Sequence, residues 1–228
     1  MPLISKNQVI PQVSVIVVNW NGKALLQESL GPLLRQRDVA CELILVDNGS
    51  SDGSVDWVRT KFPQIKLVQL SSNQGFTGGN LAGLDAAHGE FIALVNNDTR
   101  ADERCLSELL LPMICDSQVG ISAAKLLLDR TEMINSAGVA LTTAAVGFDR
   151  GYGEDCCLYD VPEHVFGACA AAVLYRRSMV EEIGFLDNDF FSTAKTLILA
   201  FARKSPAGNA STFLPQSFIT NSMRPRGN

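Results

Sequence analysis

A chain of 228 residues, 46% hydrophobic and 19% charged, is long enough for one domain with a substantial buried core. Its formal net charge of -5 argues against a protein that holds nucleic acid by bulk attraction to phosphates. An anionic ligand would have to be bound locally, by backbone amides or a metal. No apolar run reaches the roughly 18 residues of a membrane span, and the opening MPLISKNQVIPQ lacks a signal-peptide core. The expected location is cytoplasmic, or peripheral at the inner face of the membrane. Six cysteines, at 41, 105, 115, 156, 157 and 169, show no CxxC and no metal-ligand spacing, so reduced thiols are expected.

Residues 13–18, VSVIVV, form a β-branched run suited to a buried strand, and the run stops at Asn19-Trp20-Asn21-Gly22. Leucines at 25, 26, 30, 33 and 34 then recur at helical spacing, interrupted by Gly31-Pro32. A second strand over 42–46, ELILV, runs straight into Asp47-Asn48-Gly49-Ser50-Ser51-Asp52-Gly53-Ser54. Trp57, Val58 and Phe62 suggest a short helix ending before Pro63. A third strand is predicted over 65–70, a loop over 71–79 (SSNQGFTGG), and a helix over 81–87.

The stretch 89–99, GEFIALVNNDT, carries the strongest signal. Its five apolar residues at 91–95 suit a strand buried on both faces, and it ends in Asn96, Asn97, Asp98 and Thr99. Ligands of open α/β sheets sit beyond the carboxyl ends of the strands, which makes Asp98 a candidate for chemistry. The plainer reading is that Asp98 caps a helix beginning near Ala101. Further on, a helix carries Leu106, Leu109, Leu110 and Met113, and 119–128 reads as another strand. Residues 133–162 form an irregular excursion, the kind of long segment that is usually functional or mobile. Residues 166–175, FGACAAAVLY, read as a strand, and 176–183 as a helix stopped by Gly184.

Alternating strands and helices predict an α/β fold with a mainly parallel sheet covered on both faces. Asn, Asp, Ser and Gly at successive strand ends could each be a tight turn. Gathered on one edge, they suit ribose hydroxyls, a divalent cation and a diphosphate approached by backbone N–H groups. Neither GxGxxG nor GxxxxGK[ST] is present, which weakens dehydrogenase and nucleotide-hydrolase readings. His88 and His164 need no role.

The segments VSVIVVNWNG, ELILVDNGSSDGS, NQGFTGGN, GEFIALVNNDT and GACAAAVLYRRSMVEEIGFLDNDFF resemble, in order and spacing, family 2 glycosyltransferases of the GT-A fold, and look closest to bacterial rhamnosyltransferase-like members. The likeness covers residues 12–191. It implies transfer of a sugar, with inversion, from a nucleotide-diphosphate sugar (dTDP-rhamnose or a UDP-sugar) to a glycan or lipid-linked acceptor, in polysaccharide or cell-envelope biosynthesis. It also implies roles. Asn19 and Asn21 would border the nucleotide pocket, Asp47 would hold the base or ribose, and Asn73, Gly75 and Asn80 would line the nucleotide side. Asn96-Asn97-Asp98 stands where the family has its DxD-type motif, so Asp98 would coordinate Mg²⁺ or Mn²⁺ with Asn97 beside the diphosphate. Gly167 and Ala168 would face the donor sugar or acceptor.

After FLDNDFF the family continues with an acidic segment resembling YxEDVDLSxR, which supplies the general base. Here residues 192–228 hold five of the 19 basic residues and no acidic one. FSTAKTLILAFA can be encoded by bases that, read from the last base of the Phe191 codon, give LYCEDVDLSFR. The same frame through PAGNASTFLP permits GWQCIYVP. The expected organisation is therefore a GT-A domain over 1–191 followed by a frameshifted tail over 192–228, with transfer impaired and no catalytic base assigned. The rival expectation is a non-catalytic nucleotide-sugar-binding or partner-binding remnant.

Overall fold

The computed structural model describes residues 11–144, 146–186, 211–214 and 218–221. In chain order these form β1 (Val13–Asn19), α1 (Lys23–Leu34), β2 (Cys41–Asp47), α2 (Ser54–Lys61), β3 (Lys66–Gln69), α3 (Gly75–Ala86), β4 (Phe91–Val95), β5 (Thr99–Ala101) and α4 (Cys105–Cys115). There follow β6 (Val119–Ala123), β7 (Lys125–Leu128), β8 (Ile134–Ser136), β9 (Val139–Leu141), β10 (Gly147–Asp149), a 3₁₀ turn (Cys156–Tyr159), β11 (Glu163–Val165), β12 (Ala172–Arg176), α5 (Arg177–Ile183), β13 (Ser211–Leu214) and β14 (Phe218–Asn221).

The main sheet has the order β11-β13-β6-β12-β4-β1-β2-β3. β4, β1, β2 and β3 are mutually parallel, while β12 runs antiparallel to both β4 and β6. A smaller sheet orders β5-β14-β7-β8, and β9 and β10 make a separate hairpin. The boundary expected at residue 191 lies outside the described residues. Beyond it, the backbone of β13 pairs with β6 and β11, and that of β14 with β5 and β7.

Burial on both faces explains why the strands carry apolar runs rather than a one-sided alternation. Val13, Val15 and Val17 of β1 share one cluster with Leu26, Leu30 and Leu33 of α1 and Leu106, Leu109 and Met113 of α4. Ile16 of the same strand belongs to the opposite cluster with Ile44, Val46, Ile92, Leu94 and α5's Met179 and Val180. α3 closes over that second face through its glycines. A Cβ on Gly79 would stand 2.6 Å from a Val18 methyl, and one on Gly83 would collide with an Ile16 methyl.

That close fit corrects the expected loop at 71–79, because helix α3 already begins at Gly75. Glycine's low helix propensity misled the sequence reading, and close packing against β1 overrides it. Two further expectations are corrected. The strand expected over 119–128 divides at Ala124, whose N–H donates to Ala172 O, and its halves enter different sheets. The strand expected over 166–175 is confined to β12, since only Ala172–Arg176 finds partners on β4 and β6.

Candidate nucleotide-sugar site

β1, β2 and β4 end on one edge of the sheet. Asn19 is the register partner of Asp47, and β4 lies on the other side of β1, with Leu94 opposite Ile16. The loops after these strands are tied together by side chains, and Asn19 is the hub. It is fully buried; its Nδ2 donates to Ser54 Oγ (3.2 Å) and Ser50 Oγ (3.4 Å), and its Oδ1 accepts from Asn97 Nδ2 (2.9 Å). An amide suits this position because it donates and accepts at once.

Asn21 adopts φ +50°, a conformation that Asn tolerates better than most side chains. Its N–H donates to Ser50 Oγ (2.9 Å), and its Oδ1 accepts from Ser51 N–H (2.8 Å). Behind it, Lys23 N–H donates to Asp52 Oδ2 (2.8 Å). The loop after β2 is thus fastened to the loop after β1 at both ends.

Asp47 is 3% exposed. Its Oδ2 accepts from Ser50 N–H (3.1 Å), while its Oδ1, also buried, has no hydrogen-bond partner among the described residues. A buried carboxylate oxygen without a donor is costly, so the described fold leaves this atom short of one hydrogen bond.

The neighbouring Asn48 reaches the third loop. Its Nδ2 donates to Asn73 Oδ1 and Gly75 O, both at 3.0 Å, and its Oδ1 accepts from Gln74 N–H at 2.8 Å. Asn73 Oδ1 also accepts from Gly75 N–H (2.8 Å). Asn73 and Gly75 are thereby joined to the cluster. Asn80 is turned inward, donating to Phe76 O of its own helix at 2.8 Å.

Asp98 follows Asn97 at the end of β4. It does not cap a helix: Thr99–Ala101 is strand β5, and Asp102 Oδ1 accepts from Arg104 N–H just before α4. Burial raises the Asp98 carboxyl above the usual aspartate range, against the smaller opposing effects of its own backbone N–H and of Thr99 Oγ1, which lies 3.5 Å away. Asp98 lines a small recess with Leu25, Glu28, Ser29, Thr99, Arg100 and Asp129. Gly167 is buried and exchanges backbone hydrogen bonds with Val139 (2.8 and 3.2 Å), and Ala168 is fully buried in the second apolar cluster.

Several residues of this edge were not singled out in the sequence. Asn48, Ser50 and Ser54 lay inside a quoted loop, but nothing in the string distinguishes a tie between loops from a turn former. Trp20, 57% exposed between two site asparagines, offers an indole face at the rim. Burial pushes the Cys169 thiol up to about 11, against the opposing hydrogen bond from the Ala171 backbone.

A sheet whose strand ends gather a carboxylate, interlocked amides and a second carboxylate at a strand tip defines an α/β protein of the GT-A type. GalNAc-T7, solved with UDP, GalNAc and Mn²⁺, superimposes with a TM-score of 0.78 at 13% identity, over 97% of this chain and 45% of that one. The family model of glycosyl transferase family 2 matches residues 14–134, and the chain belongs to that family. The succinoglycan biosynthesis protein ExoO of Rhizobium meliloti is 25% identical over 141 residues, 61% of this chain and 38% of that protein. The GalNAc(5)-diNAcBac-PP-undecaprenol beta-1,3-glucosyltransferase of Campylobacter jejuni is 29% identical over 105 residues, 44% of this chain and 34% of its own. The chain thus spans well under half the length of these relatives.

Proposed function

We propose that the strand-end cluster binds a nucleotide-diphosphate sugar, dTDP-rhamnose or a UDP-sugar, for transfer with inversion to a glycan or lipid-linked acceptor. Asp47 Oδ1, without a hydrogen-bond partner among the described residues, carries the reading, since a nucleoside hydroxyl or base N–H brought to it by a shift of the covering loop would satisfy it. Asn19, Asn21 and Asn97 hold the loops that shape the pocket, Asn73 and Gly75 build its nucleotide side, Asn80 supports that side from within by its bond to Phe76 O, and the exposed Trp20 can stack on the base. Gly167 and Ala168 would border the sugar side; both are buried in the structure, so contact with the sugar would need the segment covering them to move.

The residues at the end of β4 fit a divalent cation. The Asp98 carboxylate has lost solvation that a cation would replace, and Mg²⁺ or Mn²⁺ would be shared between Asp98 and the diphosphate. Bound there, the ion would neutralise charge building on the departing nucleoside diphosphate. Asp98 belongs to no three-membered group of His, Cys, Asp and Glu ligands among the described residues, so the ligand's own oxygens must complete the shell.

Inversion needs a base on the acceptor hydroxyl, and the family's base segment is absent after Phe191. We read residues 192–228 as a frameshifted tail on a domain of residues 1–191 from a rhamnosyltransferase-like branch. On this reading the chain binds donor but transfers little. No helix among the described residues is long and apolar enough to cross a membrane, and the lipid-linked substrate in the C. jejuni relative's name suits a cytoplasmic or membrane-peripheral site.

Calorimetry with UDP and dTDP, with and without Mn²⁺, tests the binding half on the native and Asp98→Ala proteins. Binding that requires neither Mn²⁺ nor Asp98 would refute the metal assignment, and no binding at all would refute the site. Turnover equal to that of a relative with the acidic segment would refute the impairment. The frameshift is tested by sequencing the gene, where codons incompatible with the alternate frame would exclude it. A binding-competent chain without turnover fits the non-catalytic reading, and replacing 192–228 by the alternate-frame sequence separates the two: recovered transfer supports an interrupted enzyme.

A further inference from the structure

The excursion between β7 and β12 carries a cluster that the strand-end site does not use. Asp155, Cys156 and Cys157 present their ligand atoms within 4.8 Å of one another. Adjacent cysteines display no metal-ligand spacing as a sequence motif. The fold brings one further carboxylate up to Cys156. Met133 and Asp155 form an antiparallel bridge, and Cys156 N–H donates to Glu132 O at 2.9 Å, which lays residues 132–134 beside 154–156.

This pairing places Glu132 Oε2 3.4 Å from Cys156 Sγ. Bond lengths of roughly 2.3 Å to sulfur and 2.0 Å to oxygen, at a tetrahedral angle, put S and O ligands of one zinc ion about 3.5 Å apart. Asp155 Oδ1 accepts from Cys157 N–H (2.9 Å), and the carboxylate also meets the Cys157 thiol, which orients it toward that sulfur. We propose that Asp155, Cys156 and Cys157 form a structural site for a thiophilic divalent cation, zinc by preference. Glu132, which reaches Cys156 Sγ but is not in the group whose ligand atoms all lie within 4.8 Å of one another, would complete the shell by a movement of its side chain and so fasten the two arms of the excursion together.

The chemistry separates this site from the one at Asp98. Two thiols with two carboxylates suit a borderline-soft cation, whereas Mg²⁺ and Mn²⁺ prefer oxygen. Both thiols are protonated in the metal-free chain: burial and Glu132 hold Cys156 up at about 11, and the Asp155 carboxylate raises Cys157. Binding releases both S–H protons to solvent as two S–Zn bonds form, so affinity rises with pH. Other charges nearby are Lys125, whose Nζ donates to Asp160 Oδ1 (2.7 Å) and to Cys156 O (3.4 Å), and Glu154, which accepts from Tyr159 Oη (2.8 Å). All six cysteines are free in the structure.

The test is titration of the reduced full chain with Zn²⁺ against a chromophoric chelator, repeated with Co²⁺ to read thiolate-to-metal charge transfer. One ion per chain is expected, with charge-transfer intensity for two thiolates. Cys157→Ser, at an exposed position, should weaken binding about tenfold or more and halve that intensity. Cys115→Ser, an exposed cysteine elsewhere, should leave both unchanged. Because Cys156 is buried, Cys156→Ser is interpreted only with its melting curve, and Asp155→Asn supplies a second surface variant. Equal zinc affinity in wild type, Cys157→Ser and Asp155→Asn overturns the proposal, as does the absence of a cobalt–thiolate band. Nucleotide calorimetry on Cys157→Ser keeps the outcome separate from the strand-end site, which this variant should not affect.

Discussion

Asp47→Asn removes charge from the strand-end site while preserving its shape. In the native protein Oδ2 is held by Ser50 N–H, and Oδ1 is buried with no donor among the described residues. An asparagine keeps the Ser50 bond through its carbonyl oxygen and turns an NH₂ to the pocket side. A ligand donor that met a carboxylate oxygen would then meet another donor. Losing one charge-assisted hydrogen bond costs about 1.5–3 kcal/mol, which corresponds to a fall in affinity of roughly 10- to 150-fold. The ligand-free protein should respond little. An unsatisfied buried group costs about 1–3 kcal/mol whether it is the carboxylate oxygen or the NH₂ that replaces it, so the variant should melt within a few degrees of the parent. Calorimetry with UDP and dTDP, beside thermal melts without ligand, reads both quantities. Nucleotide affinity unchanged within twofold, or a melting point lowered by several degrees, would show that Asp47 serves the fold and would refute the reasoning.

Asp98→Asn should raise the melting temperature at neutral pH and abolish Mn²⁺-dependent nucleotide binding. The sign follows from burial. A carboxyl whose folded pKa lies above its unfolded one contributes stability below the ordinary aspartate range and loses it as pH rises through the folded value, so the variant's gain should vanish in acid. A gain that persisted unchanged at pH 3 would contradict this. Trp20→Ala should weaken nucleotide binding by about 1–3 kcal/mol with no change in melting, because the indole is 57% exposed; quenching of tryptophan fluorescence on titration with UDP or dTDP checks the contact in the parent. Gly83→Ala should destabilise by about 1–3 kcal/mol in urea denaturation, although helix propensity alone favours alanine, because its Cβ would collide with Ile16. A stabilised variant would show that α3 can move off the sheet.

Local pattern and chemistry were enough to establish the alternation of strands and helices, the buried character of β1, β2 and β4, and the polar residues released at their ends. A run of β-branched and apolar residues must be covered on both faces, and the chain between two parallel strands must cross over as a helix. Asp47, Asp98 and the asparagines around them were legible as polar residues ending buried strands, but turn and cap formers stand at the same places, so their position could be read and their role could not. Only the tertiary structure decided how those residues meet. Asn19 ties Asn97 to Ser50 and Ser54 across intervals of 78, 31 and 35 residues, and no local rule encodes a hydrogen bond between loops. It likewise made a helix of the glycine-rich segment after Asn73, since the space beside Ile16 and Val18 outweighs propensity. It also joined Glu132 to the Cys156-Cys157 pair, 24 residues away from Cys156, through a backbone bridge that the sequence does not announce.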